Sequence, residues 1–457
     1  MCYIQPQSAG KERGKHAIGS LYTPDGREQR PIYFAFVHPP PYLDVTAQLT
    51  IDYLWDDIES LRACSLTCKA WLPSSRFHLF RNVRLRHAED VVRFRALLTS
   101  APSIAPCVRK LSLSADYGGA TPEGSPQEDD AWVNGAAELL PLLSHITTLG
   151  LARVRWHALN EETRAAFAGV FKGVRQLFLF EVSFEASRDV IAFLSGFPML
   201  QELYFQAVSW KHDSPSPFEN PDTLHEFAEA GSMHLSYLFL DPKSSPTLVT
   251  EWLLKHPEEQ RLRTIQLCWR ELENTKAVGD LLQASGASLE SLQVEFPAGI
   301  SEDAVLQNHL SLAHNTGLRS LHFGGLDVRA SQAFLSTRLF PWVTVMLSQV
   351  RSRHLQEVSF SLEITSVQDL LALDWARIDR DLSRAEFHGL MVMFYVSCER
   401  HGLEKDTTRV GLPAGRPSTV IASIYDYTSG LLSGRIIIVF GFYGGCSAAA
   451  NAAFLSI

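Results

Sequence analysis

The sequence predicts an irregular α/β solenoid, with one strand and one helix per repeat, preceded by a small all-helical module. A unit of the form apolar, two mostly polar residues, apolar, one variable residue, apolar recurs nine times. The copies are VRKLSL from Val108, ITTLGL from Ile146, VRQLFL from Val174, LQELYF from Leu200, LSYLFL from Leu235, LRTIQL from Leu262, LESLQV from Leu289, LRSLHF from Leu318 and LQEVSF from Leu355. Their spacings are 38, 28, 26, 35, 27, 27, 29 and 37 residues, intervals that hold one strand and one helix. Amphipathic runs fill the intervals: DVVRFRALL, AAELLPLLSH, TRAAFAGVF, DVIAFLSGF, LVTEWLLKH, AVGDLLQAS and VLQNHLSLA. Alternate strand residues then point inward, a helix covers them, and stacked neighbours bury a continuous core.

Composition agrees with this reading and narrows the function. The 457 residues are 46 % hydrophobic, 20 % charged and 10 % aromatic, which describes a folded chain of two or three domains or one long array. Lysine plus arginine is 41 against 50 aspartates plus glutamates, a net charge of −9, so no nucleic-acid partner is expected. Seven cysteines without CxxC spacing exclude a disulfide framework and a zinc ribbon and fit a reducing compartment, cytoplasmic or nuclear. None of the eight asparagines begins an N-glycosylation sequon.

Residues 1–38 are mixed in composition, carry no apolar core of signal-peptide length and are expected to be flexible. Residues 39–82 form the helical module. Its first helix carries Val45, Leu49 and Tyr53 on one face; its second, capped by Asp57, carries Leu61, Cys64 and Cys68. Helices this short do not bury themselves and must pack on the following segment or on a partner. One reading makes residues 44–80 a cap over the first repeat; the other makes them a docking module.

The segment SLRACSLTCKAWLPSSRFHLF resembles an F-box, and closely the F-box-like segment of a large family in mushroom-forming fungi. The features that carry the resemblance are Leu61, Cys64, Leu66, the Cys68-Lys69-x-Trp71 element and the aromatic-rich stretch Phe77 to Phe80. Where that family shows Leu-Pro-x-Glu, this chain has Pro39-Pro40-Pro41-Tyr42-Leu43-Asp44. The resemblance implies docking on the Skp-type adaptor of a cullin ubiquitin ligase, through Leu43, Leu49, Leu54, Leu61, Cys64, Leu66, Cys68 and Trp71.

Residues 83–402 hold the repeats, which over about 105–395 resemble degenerate leucine-rich repeats. In the regular version an asparagine stands three places after the last apolar strand residue; here that place holds Asp116, Val154, Val182, Val208, Lys243, Arg270, Pro297, Leu326 and Glu363. Uneven repeats are therefore expected. ADYGGATPEGSPQEDD, from Ala115 to Asp130, reads as a mobile acidic loop. Outward strand positions place Phe178, Phe180, Tyr204, Tyr237 and Phe239 in three consecutive copies, and contiguous aromatic surface marks a target-binding site. A competing reading has the loop after Trp210, WKHDSPSPFENPD, fold over the patch.

Residues 403–457 are apolar, Gly-rich and outside the pattern. They read as a cap pairing with the last strand, a weak membrane anchor over Ile436 to Ile457, or a stretch of mispredicted coding sequence. Glycines and alanines dilute the hydrophobicity, so a membrane role is not expected.

No phosphate loop, nucleophile elbow, HExxH or dinucleotide-binding glycine pattern occurs. Cys64 and Cys68 lie one helical turn apart without further ligands at metal spacing, and Cys398 with His401 lacks an orienting group. The chain is expected to be no enzyme and to need no metal or cofactor. Together the resemblances imply the substrate-recognition subunit of a Skp/cullin/F-box-type ubiquitin ligase, with an unknown target protein on the repeats. The alternative is a non-catalytic repeat scaffold unrelated to ubiquitin.

Overall fold

All nine copies of the repeated unit form strands. A computed structural model describes residues 49–115, 131–213, 234–241, 246–255, 261–268, 275–296, 310–327, 339–364, 372–387, 389–398 and 436–440. The nine strands are β2 (Lys110–Ser114), β3 (Thr148–Ala152), β4 (Gln176–Phe180), β6 (Glu202–Gln206), β8 (Tyr237–Leu240), β9 (Thr264–Cys268), β10 (Ser291–Glu295), β11 (Ser320–Asp327) and β12 (Glu357–Ile364). β1 (Asn82–Leu85) precedes them; β13 (Met391–Cys398) and β14 (Ile436–Phe440) follow. They make one 12-stranded sheet in the order β1-β2-β3-β4-β6-β8-β9-β10-β11-β12-β13-β14, parallel at every pair from β3 to β14.

The register explains why the copies look alike. Leu149, Leu177, Leu203, Leu238, Ile265, Leu292, Leu321 and Val358 form one inward column, and Leu151, Leu179, Phe205, Leu240, Leu267, Val294, Phe323 and Phe360 the next. All sixteen are buried, each contributing roughly 1.5–3 kcal/mol of hydrophobic stabilisation.

The helices are α1 (Ile58–Thr67), α2 (Leu72–Phe80), α3 (Ala88–Ser100), α4 (Glu161–Val170), α5 (Ser187–Ser195), α6 (Pro246–Leu254), α7 (Thr275–Ser285), α8 (Pro341–Gln349) and α9 (Trp375–Leu382). Five of the seven helix-like runs fall in α3 to α7. AAELLPLLSH instead belongs to two 3-10 turns, Ala131–Ala136 and Leu140–Leu143, because Pro141 has no N–H to donate and its ring obstructs an α-helix. VLQNHLSLA lies partly outside the described residues, and its described part, 310–313, is non-helical. Side-chain caps fix other starts: Asn160 accepts from the Thr163 N–H at 2.8 Å and Asp374 from the Arg377 N–H at 3.1 Å.

Two further copies emerge. FRNVRL, Phe80 to Leu85, ends in β1, so the expected module boundary at residue 82 cuts through a repeat. In β13, Val392 and Phe394 pair with Val358 and Phe360, but the leading apolar place holds Gly389, at φ +78. That glycine hides the copy from a pattern search.

The chain turns a corner after β3, β4 and β6. Arg153, Glu181 and Ala207 adopt φ of 57, 52 and 51, a left-handed conformation costly for residues with a Cβ. Cross-repeat hydrogen bonds hold the corners: the Arg153 N–H donates to Phe180 O at 2.8 Å and the Glu181 N–H to Gln206 O at 2.9 Å. The next residues, Val154, Val182 and Val208, occupy the place of the regular asparagine and are buried. After two of these corners, β5 (Ser183–Ala186) and β7 (Ser209–His212) pair in parallel as a second, two-stranded sheet.

The chain forms two compact units, Met1–Val83 with Ala96–Lys110, and Arg84–Arg95 with Leu111–Ile457. Of the segments expected to be irregular, 1–38 and most of Ala115–Asp130 lie outside the described residues. So does 403–457 except for Ile436–Phe440, whose strand pairs with Val392–Val396. No helix among the described residues is long and apolar enough to cross a membrane.

Candidate binding surfaces

In the first unit, residues 49–53 are helical and α1 and α2 follow. Asp57 caps α1 as its sequence predicts: its carboxylate accepts from the Ser60 N–H at 3.1 Å and from the Ser60 hydroxyl at 2.6 Å, and these bonds lower its pKa. Cys68-Lys69-Ala70-Trp71 forms the turn between the helices, closed by the Trp71 N–H donating to Cys68 O at 3.1 Å, and Pro73 opens α2 where its missing N–H costs nothing. Within residues 49–80 the buried side chains are Ile51, Leu61 and Ser75.

The outward side chains are unusual for such a small unit. Leu49 is 63 % exposed, Tyr53 87 %, Trp55 61 % and Leu66 88 %. Leu49 and Tyr53 stand at i and i+4, on one helix face. That face was expected to be apolar, but it looks outward while Ile51 fills the core.

Among the residues the resemblance assigns to adaptor docking, Leu49 and Leu66 are on the surface, and Leu54, Cys64, Cys68 and Trp71 are half-buried. Leu61 is a correction: fully buried, it supports the surface from beneath and is not on it. Leu43 lies outside the described residues. Sequence reasoning passed over Trp55 and left Tyr53 out of the docking set; an apolar residue near a helix is read as core unless both faces are apolar, which is the signal LTIDYLW carries.

In the second unit, parallel register brings the aromatic residues together. Phe178 pairs with Tyr204, and Tyr204 with Phe239, across β4, β6 and β8. The Phe178 and Tyr204 rings stack with centroids 4.1 Å apart and planes at 12°; Tyr204 lies 4.7 Å from Tyr237 and 6.4 Å from Phe239. The Tyr204 hydroxyl donates to Glu202 at 3.3 Å, and burial, then the neighbouring Tyr237 and Glu202, push its pKa strongly up. Phe180 stands at the corner, with the Arg153 guanidinium 5.9 Å from its ring centre and ion-paired to Glu181 at 2.9 Å. All five expected target-binding aromatics are half-buried on the outward face of the sheet. Residues 214–233, which hold most of the loop proposed to cover them, are outside the described residues.

On β9 to β12 the same outward positions turn mostly polar, and on β13 they are Met391, Met393 and Tyr395. His322 sits between two serines, its Nδ1 2.7 Å from Ser359 Oγ and its Nε2 3.1 Å from Ser361 Oγ, so one hydroxyl donates to the ring and the other accepts from it. Burial lowers its pKa. Thr148 and Ser359 stand at outward register positions yet are buried because neighbouring side chains cover them: Thr148 Oγ1 bonds Gln176 Oε1 at 2.9 Å and Ser359 bonds His322. Among the described residues, no group of three or more His, Cys, Asp or Glu side chains is placed to hold a metal ion.

No family model matches the chain, and no curated protein matches it. Among solved structures it is similar to a chain in the crystal structure of the Rad7 and Elc1 complex in yeast, at 16 % identity over 83 % of this chain and 94 % of that one, with a TM-score of 0.32.

Proposed function

We propose that this chain is the substrate-recognition subunit of a Skp/cullin/F-box-type ubiquitin ligase, an α/β solenoid of leucine-rich-repeat type with an F-box-like module before it. One observation carries the reading. Of the eight exposed large hydrophobic side chains among the described residues (Leu49, Tyr53, Trp55, Leu66, Val92, Leu142, Met199 and Tyr395), the first four lie within residues 49–66. That segment overlaps the stretch whose sequence resembles an F-box, and clustered exposed apolar side chains mark a surface that a partner covers. The adaptor binds there, and the target binds the ring ladder of β4, β6 and β8.

The chain performs no chemistry in this reading. Holding a target beside the ligase machinery raises the effective concentration of its lysines, so ubiquitin transfer becomes in effect intramolecular. Among the described residues Cys64, Cys68, Cys107 and Cys268 are not joined in disulfides, in keeping with a cytoplasmic or nuclear place of work. A scaffold unrelated to ubiquitin is the second reading, favoured by Pro39-Pro40-Pro41 where an F-box begins Leu-Pro-x-Glu.

Pull-down of the full-length chain with purified Skp-type adaptor tests the proposal. Wild type is retained, and Leu66→Asp and Trp55→Ala, both folded by circular dichroism, are lost. Equal retention of wild type and both variants removes the assigned surface; no retention of a folded wild-type chain leaves the scaffold.

A further inference from the structure

From β2 to β13, the outward positions of the described strands and of the residue that follows β8 hold six carboxylates, Glu202, Asp241, Glu295, Asp327, Glu357 and Glu363, against a single basic residue, Lys110 on β2. This acidic excess shares its face with the aromatic ladder, and at Glu202 the two meet, since the carboxylate accepts the Tyr204 hydroxyl at 3.3 Å. An aromatic ring attracts a cation through its quadrupole, and a carboxylate beside it adds to the attraction. An acidic face of this extent also steers and selects a partner of opposite charge.

We infer that the occupant of the β4–β8 face is a basic segment of a protein, whose arginine side chains lie against Phe178, Tyr204, Tyr237 and Phe239 and whose charge is matched by Glu202 and the acidic positions beyond. The inference rests on the reading of the ladder as the target-binding site. Arginine is preferred to lysine because its planar guanidinium lies flat on rings while its N–H groups bond a carboxylate. The neutral and polar outward residues between the acids, such as Gln266 and Gln293, give the backbone of an extended segment its hydrogen-bond partners.

The test is titration of the full-length chain with a short fluorescent arginine-rich peptide, beside the same sequence with lysine or with citrulline, the neutral isostere of arginine, and beside an apolar peptide rich in leucine. The arginine peptide is expected to bind about tenfold tighter than the citrulline peptide, with the lysine peptide between them. Affinity for it falls several-fold in Glu202→Gln, and in Phe178→Leu with Phe239→Leu, which leaves every charge in place. Weakening by salt accompanies the charged peptides only.

Two outcomes overturn the inference: equal affinity for the arginine and citrulline peptides, or an arginine preference that survives in Phe178→Leu with Phe239→Leu and in Glu202→Gln, which marks diffuse attraction to an acidic protein. Capture of the leucine peptide, lost in the ladder variants, with no arginine preference, also overturns it while leaving the ladder as a target site. No binding of any peptide by the folded chain counts against both.

Discussion

The two apolar surfaces of this protein are built in opposite ways. In residues 49–66, Leu49, Tyr53, Trp55 and Leu66 are largely exposed, while Ile51 and Leu61 do the packing. On β4, β6 and β8 the rings are half-buried against each other, Phe178 on Tyr204 at 4.1 Å. A side chain that touches little contributes little to its own fold and is available to a partner. A ring held in a stack contributes to both, and its orientation is already fixed before a partner arrives, which reduces the entropy lost on binding. Changes on the first surface should therefore separate binding from stability, and changes on the second should couple them.

The sharpest way to break the comparison lies within α1. Leu61→Ala should destabilise its unit by about 2–5 kcal/mol through lost burial and an unfilled cavity. Leu66→Ala should change stability by less than about 0.5 kcal/mol. Denaturant unfolding of the two variants measures both, and equal losses would show that Leu66 packs as Leu61 does.

On the ladder the expected effects are smaller but coupled. A double-mutant cycle of Phe178→Leu and Tyr204→Leu should give a coupling of about 0.5–1.5 kcal/mol. The same cycle with Leu49→Ala and Tyr53→Ala, neighbours on one exposed helix face, should give no more than about 0.5 kcal/mol.

The corner that ends β6 sharpens the contrast further. Ala207 holds φ at 51, a conformation glycine reaches without the Cβ penalty, so Ala207→Gly should raise stability by about 0.5–1 kcal/mol in thermal unfolding.

Alkaline titration reads the ladder through a single group. The folded chain holds the Tyr204 proton above the ordinary tyrosine pKa of 10.0, whereas the unfolded chain releases it there. This contribution is intact below pH 10.0 and is lost as pH rises past that value towards the raised folded pKa. Tyr204→Phe should flatten the alkaline limb of the stability curve.

Much of the second unit is legible in the sequence because one rule repeats: inward residues of a parallel strand must be apolar, and register copies the rule from strand to strand. That is why all nine copies are strands and why the ring ladder follows from outward positions alone. The rest is hidden for identifiable reasons. Gly389 removes the leading apolar residue of β13, and FRNVRL overlaps the end of α2. α8 buries every residue from Trp342 to Leu347, so it shows no polar face and no helical period.

The two-stranded sheet of β5 and β7 depends on left-handed corners at Glu181 and Ala207, residue types that carry no such signal. Tyr53 and Trp55 show the same limit at the candidate site. Sequence tells that a side chain is apolar but not whether the chain has room to bury it.

The most direct test of the account is calorimetric titration of the full-length chain with purified Skp-type adaptor. One-to-one saturable binding is expected, with the negative heat-capacity change of apolar burial, abolished in Leu66→Asp while the variant keeps its fold. A folded wild-type chain that takes up no adaptor, or binding that Leu66→Asp leaves unchanged, would contradict it.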